Sequence, residues 1–139
     1  MMTVVTVQLV RAEGLWAGAE YAYAAAAGSL AFTAGACPLD EDGEAVAPGD
    51  VAAQARQAVA NLATALRAAG AGLDGVLKTT IYVASADRAD LVTAWGVIRA
   101  AFGAHDAPST LLGVTVLGYP GQLVEIEAVA VTGLQDPGE

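Results

Sequence analysis

Basic residues, cysteine and histidine are scarce in this 139-residue chain. Six Lys and Arg stand against fifteen Asp and Glu, a formal net charge of −9 at pH 7, so no basic surface is available to neutralise a run of phosphates. Nucleic acid is therefore not expected as a partner. The one cysteine, Cys37, cannot close an intrachain disulfide or build a Cys-rich zinc site, and a reducing, cytoplasmic setting fits it best. The one histidine, His105, weakens any metal reading and leaves Ser29, Ser85 and Ser109 without an imidazole network for a Ser-His-Asp hydrolase. A G-x-S-x-G elbow is missing, as is G-x-x-x-x-G-K-[ST], and no G-x-G-x-x-G follows a strand and opens a helix. Nucleotide binding therefore has no motif support. Long bulky apolar runs are missing too: the stretch from Ala22 to Gly35 is broken by Gly28 and Ser29 and is too alanine-rich for a membrane span of ~20 residues. The start, Met1 to Arg11, has no basic region ahead of a long apolar run, so neither membrane insertion nor export is expected.

What is present is a 55% hydrophobic chain with 15% charged residues, a composition that folds, and its length suits one domain over residues 1–139. Much of the apolar fraction is alanine, which buries little area per residue, so burial shared between subunits is expected. The β-rich start of Thr3 to Arg11 predicts a short first strand. Tyr21 to Ala27 and Leu30 to Ala34 flank Gly28-Ser29 as strands flank a tight turn, although Ala24 to Ala27 also has helical propensity. The acidic segment Pro38 to Glu44 predicts a solvated loop. Asp50 is an N-cap for a helix whose apolar residues Val51, Ala55, Ala58, Leu62, Leu66 and Ala69 recur at helical spacing until Gly70. Alternation from Leu77 to Ala84 predicts a strand, and Asp87 then caps a second helix with Leu91, Ala94, Trp95, Ile98 and Phe102 on one face, ended by Gly103. Two β-rich runs, Thr110 to Leu117 and Leu123 to Thr132, surround Gly118 to Gly121 and are expected to pair as a hairpin. The order β-β-β-α-β-α-β-β predicts an α+β fold, one sheet with both helices on one face. The bare face then needs a cover, for which a homo-oligomer is economical.

Several residues could carry chemistry. Glu125 and Glu127 lie two apart in the apolar run Val124 to Ala130 and so share a face. A buried carboxylate is costly unless it is used or paired, which suits an acid or base; alternatively both face solvent or pair with Arg56, Arg67, Arg88, Arg99 or Lys78. Tyr21 and Tyr23 share a face, whereas Tyr82 and Tyr119 stand alone. Cys37 is either a reactive thiol or a small buried hydrophobe. His105 beside Asp106 is either an oriented base or an exposed pair, and Trp95 reads as core or interface.

Thr33-Ala34-Gly35-Ala36-Cys37-Pro38-Leu39-Asp40, then Gly43-Glu44, Gln54 and Asn61, together with Gly70 to Lys78 and the closing Val124-Glu125-Ile126-Glu127-Ala128-Val129-Ala130-Val131, resemble the motifs of the RidA/YjgF reactive-intermediate deaminase family. The likeness runs from about Tyr21 to Val131. It implies a chorismate-mutase-like fold, a homotrimer whose sheets form an inner barrel, and small-molecule sites in clefts between subunits. It implies hydrolysis of enamines and imines without metal or cofactor. By position, Glu125 is the water-positioning glutamate, Tyr21 the pocket tyrosine and Gly35 the loop glycine. Trp95 stands where asparagine is frequent, and Ser109, followed by Thr110, stands where the family's carboxylate-binding arginine is expected. A serine hydroxyl does not replace a cationic fork, so the implied substrate is an enamine, imine or related reactive compound other than the usual 2-imino acid, with backbone amides near Gly35 and Thr110 as donors. Alternatives in the same cleft are a cyclisation or dehydration of specialised metabolism, or a non-catalytic trimer that binds a small metabolite. The −9 charge speaks against the ribonuclease activity that some labels in this family mention.

Overall fold

The computed structural model describes residues 4–134. The first strand, β1, covers only Gln8–Val10. Val4, Val5 and Val7 stay well exposed and outside it, because β propensity forms no ladder without a partner; Thr3, expected to begin this strand, lies outside the described residues. β2 (Ala24–Ala27) and β3 (Leu30–Thr33) form the expected hairpin, with Ala27 opposite Leu30 and Gly28 at φ +59° in the turn. The alanine run is thus strand rather than helix, held by its pairing to both β1 and β3. It begins at Ala24, not Tyr21, although Tyr23 still donates from its backbone N–H to Val10 O at 2.9 Å.

Helix α1 (Val51–Ala68) starts where Asp50 accepts the Ala53 N–H at 3.0 Å and ends ahead of Gly70, which adopts φ +81°. A single 3-10 turn, Leu73–Gly75, leads into β4 (Val76–Val83). Helix α2 (Arg88–Phe102) is capped by Asp87, and β5 (Ser109–Gly113) and β6 (Val124–Val131) follow. The six strands make one sheet in the order β1-β2-β3-β6-β4-β5.

The expected hairpin between the last two strands does not form. β5 runs parallel to β4, and β6 lies antiparallel between β3 and β4. Both pairings follow from the helices: a parallel pair needs a crossover, which α2 supplies between β4 and β5. β3 and β4 are both antiparallel to β6, so the α1 crossover leaves a gap one strand wide that β6 fills. There β6 gains a ladder on each side, against one in a terminal hairpin. β5 also stops at Gly113, short of the expected Leu117.

Alternation divides β6 between two faces. Val124, Ile126, Ala128 and Ala130 are buried in one core with Ala55, Ala58, Leu62, Ala94 and Ile98 of both helices. Both helices therefore pack on the same face, as expected. Glu125 and Glu127 turn to the other face, where the pairing places Tyr82, Phe32 and Leu30. That face keeps exposed apolar side chains, with Phe32 54% and Leu112 44% exposed. The segment after β3 is less solvated than expected, because Pro38 and Leu39 are buried and Asn61 Nδ2 donates to Cys37 O at 2.9 Å and Leu39 O at 3.0 Å. Leu62 is fully buried at the helix–sheet contact. Its replacement by alanine should lower stability by about 2–5 kcal/mol in urea unfolding at fixed protein concentration.

Candidate functional site

Past Thr33 the chain continues along β6: Ala36 N–H donates to Ile126 O at 2.7 Å and Ile126 N–H to Ala36 O at 3.1 Å. Ala36 is buried, whereas Gly35 and Cys37 both meet the carboxylate of Glu125, the neighbour of Ile126 in β6. A Cβ built on Gly35 would lie 2.6 Å from Glu125 Cδ, so glycine is needed here for space, not for an unusual backbone angle. The single proton of the Cys37 thiol is within reach of Glu125 Oε1 at 3.3 Å and of Gly35 O at 3.4 Å, and Gln122 Nε2 donates to Glu125 Oε1 at 3.0 Å. Burial first, then the Glu125 charge, pushes the Cys37 thiol up to about 12, so at neutral pH it is a protonated donor and not a nucleophilic thiolate.

Next to Gly35 and Cys37 opens a cleft with about 360 Å³ of empty space, walled by Trp16, Tyr21, Tyr23, Leu39 and Asn61 among others. Glu125 abuts this cleft through Gly35 and Cys37 rather than forming its wall. The rings of Tyr21 and Tyr23 meet edge to face at 5.9 Å, and the Tyr21 and Tyr119 hydroxyls share a 2.8 Å hydrogen bond. Burial, then that hydrogen bond, raises the Tyr21 phenol well above its usual range, so it too remains a donor. Among the described residues no Lys or Arg lines the cleft. Tyr119, expected to stand alone, also takes the Trp16 ring edge-on at 6.1 Å. Tyr82 is not alone either: its hydroxyl donates to Glu127, and that bond is the main cause that pushes the phenol up to about 12.

Trp95 and Ser109 lie elsewhere. With Ile98, Arg99, Phe102 and His105 they line a second pocket of about 390 Å³ that shares no residue with the first. Ser109 is already engaged, since it accepts from the Thr79 hydroxyl at 2.5 Å and donates to Ala107 O at 3.0 Å. Thr110 faces the open side of the sheet, where Lys78 Nζ donates to its hydroxyl at 2.5 Å. His105 and Asp106 form no dyad: the imidazole Nε2 bonds Val76 O at 2.8 Å and Asp106 pairs with Arg99 at 3.4 Å. That is the only ion pair among the described residues, so neither Glu125 nor Glu127 takes the salt-bridged alternative.

Sequence reasoning singles out neither Gln122 nor Trp16, and it leaves Tyr119 without a partner. Gln122 could have been singled out, as an amide immediately ahead of an otherwise apolar strand. No group of three or more His, Cys, Asp or Glu side chains among the described residues could hold a metal ion.

Residues 12–132 match the family described as Endoribonuclease L-PSP. The chain belongs to the RidA/YjgF family. It is 38% identical over 106 residues to a 2-iminobutanoate/2-iminopropanoate deaminase of Salmonella typhimurium, covering 75% of this chain and 80% of that protein. The crystal structure of the YjgF gene product from Escherichia coli has a TM-score of 0.77 at 32% identity, covering 89% of this chain and 98% of that one. That of Escherichia coli TdcF with bound serine reaches 0.78 at 28% identity, over 91% of this chain and 99% of that one. No helix among the described residues is long and apolar enough to cross a membrane.

Gly35→Ala should displace the Glu125 carboxylate while leaving the backbone in place, because a methyl group suits the backbone there but not the space. A crystal structure of the variant checks this. Cys37 of the native protein should react with a thiol reagent at pH 8 at least ~10-fold more slowly than the same chain in urea. The folded state holds the Cys37 proton more tightly than the unfolded chain does. Its stabilising contribution is therefore complete below the unfolded thiol range, near 9, and lost as pH rises toward about 12, which alkaline unfolding curves of wild type and Cys37→Ala resolve.

Proposed function

We propose that this RidA/YjgF protein hydrolyses the C=N bond of an enamine-derived imine or a related reactive metabolite, with Glu125 as the base that positions and deprotonates water. The observation that carries this reading is the Glu125 carboxylate, fixed by two donors against Gly35 and next to a cleft lined by Tyr21. The deaminase names of relatives support the same reaction class. In the step, water oxygen bonds to the imine carbon while Glu125 accepts one water proton. The C=N electron pair moves to nitrogen, which receives the proton that Glu125 took from water, and the hydroxyl proton of the adduct then follows to nitrogen. The resulting carbinolamine then expels ammonia and leaves a carbonyl product, so one imine and one water yield one carbonyl compound and one ammonia.

The substrate is one without the carboxylate that an arginine would bind. Ser109 supports this, since both its donor and an acceptor site are already used by Ala107 and Thr79. Arg99 is the guanidinium in the second pocket, and Asp106 already neutralises part of it. We further propose a homotrimer in which the second pocket of one copy, with Trp95 and Ser109, faces the Glu125 cleft of the next. The exposed apolar side chains on the helix-free face of the sheet support such burial. Light scattering should then give three times the 13.9 kDa chain mass.

Ammonia release from freshly generated 2-aminoacrylate and 2-iminobutanoate tests the chemistry. Ser109→Arg should be faster than wild type on these carboxylate-bearing imines, and Glu125→Gln in that background should lose about 10²–10⁴-fold. Equal rates for all three proteins would sink the role of Glu125. A wild type already as fast as Ser109→Arg would sink the substrate assignment and leave the hydrolysis standing.

A further inference from the structure

Gln122 lies in the loop that enters β6, three residues ahead of Glu125, and is 4% exposed. A buried primary amide must place two N–H donors and a carbonyl acceptor, and here every one is used. Nε2 donates to Val124 O at 3.1 Å and to Glu125 Oε1 at 3.0 Å, while Oε1 accepts the Tyr119 N–H at 3.1 Å. Turned over, the amide would set its oxygen against a carbonyl and a carboxylate at once, so its partners dictate its orientation. The Cys37 thiol reaches the same Glu125 Oε1 from the segment paired on the far side of β6, at 3.3 Å. No hydrogen bond to Glu125 Oε2 occurs among the described residues, and that oxygen occupies the space which the missing Cβ of Gly35 leaves free.

We infer that Gln122, assisted by Cys37, is a positioning residue: it commits Oε1 of Glu125 to the protein and thereby leaves Oε2 as the oxygen that takes the proton from water. The inference rests on the reading of Glu125 as the base. An unanchored glutamate on three rotatable bonds presents either oxygen in many directions. Two donors on one oxygen select a single presentation. The titratable groups facing Glu125 are Cys37 from the segment after β3, Tyr82 opposite it on β4, and Glu127 on its own strand. None of these is a cation, so the carboxylate is oriented by neutral donors.

Gln122 also ties its own loop to β6, and the test must separate that from an action on the carboxylate. The antisymmetric carboxylate stretch of Glu125 is read by infrared spectroscopy of 13C-glutamate-labelled protein, taking wild type minus Glu125→Gln. Gln122→Met, which keeps length but has no donor, should move this band; Cys37→Ala should move it less, and Cys37→Ser should return it toward the wild-type position. In turnover of 2-iminobutanoate, measured in the Ser109→Arg background, Gln122→Met should lower kcat about tenfold and leave KM within about twofold. A loop-only role predicts a lower melting temperature with the band unmoved. An unmoved band in Gln122→Met overturns the inference, and if Gln122→Met does not fold, the similarly sized, donor-less Gln122→Leu is read in the same way. Inactive Glu125→Gln with wild-type kcat in Gln122→Met removes the positioning role only, whereas fully active Glu125→Gln removes the base and its positioning together.

Discussion

The alternation of β6 in the middle of the sheet is the constraint on which the rest depends. Because successive side chains of a strand point to opposite faces, one eight-residue segment serves both the core and the candidate site. Val124, Ile126, Ala128 and Ala130 bury themselves under the two helices. Glu125 and Glu127 are thereby held on the other face, next to β4, with Glu125 also beside the segment after β3. A one-residue slip would put both carboxylates into the core, so the same force that packs the helices sets the position of Glu125.

A second layer of order comes from side-chain amides on or near α1. Gln54, fully buried, donates to Val46 O and Gly121 O and accepts from the Leu123 N–H. Asn61 holds the carbonyls of Cys37 and Leu39. Two loops distant in sequence are thus pinned to one helix, and those loops supply Gly35, Cys37, Tyr119 and Gln122. Buried amides satisfy loop backbone that has no ladder partner, which is why such loops can be rigid without regular structure.

Much of this was legible in order along the chain, less so across it. Both helices with their aspartate caps, the hairpin at Gly28-Ser29 and the shared face of Glu125 and Glu127 follow from local periodicity and turn chemistry, which act over a few residues. The spatial company of Glu125 did not follow in the same way. The motif likeness pointed to Gly35, and the structure shows the reason, a collision of any Cβ with the carboxylate. Gln122 went unmarked, and Tyr119 was set apart from the other tyrosines, because their value depends on the contacts that the loop before β6 makes with Tyr21 and Glu125. The terminal hairpin was misread because two adjacent β-rich runs around a Gly-Pro turn satisfy every local rule for pairing.

The sequence by itself determined the element order, the α+β class, the acidic surface and the family, since these rest on composition, spacing and motifs that need no coordinates. Tertiary structure alone decided that β6 enters the slot between β3 and β4, that Ser109 and Trp95 stand in a pocket apart from Tyr21, and that Gln122 and Cys37 converge on one oxygen of Glu125. The physical reason is one of range. A cap, a turn or an alternating face is written within a few residues, whereas strand insertion and a shared hydrogen-bond acceptor are chosen by which distant backbone groups would otherwise go unpaired.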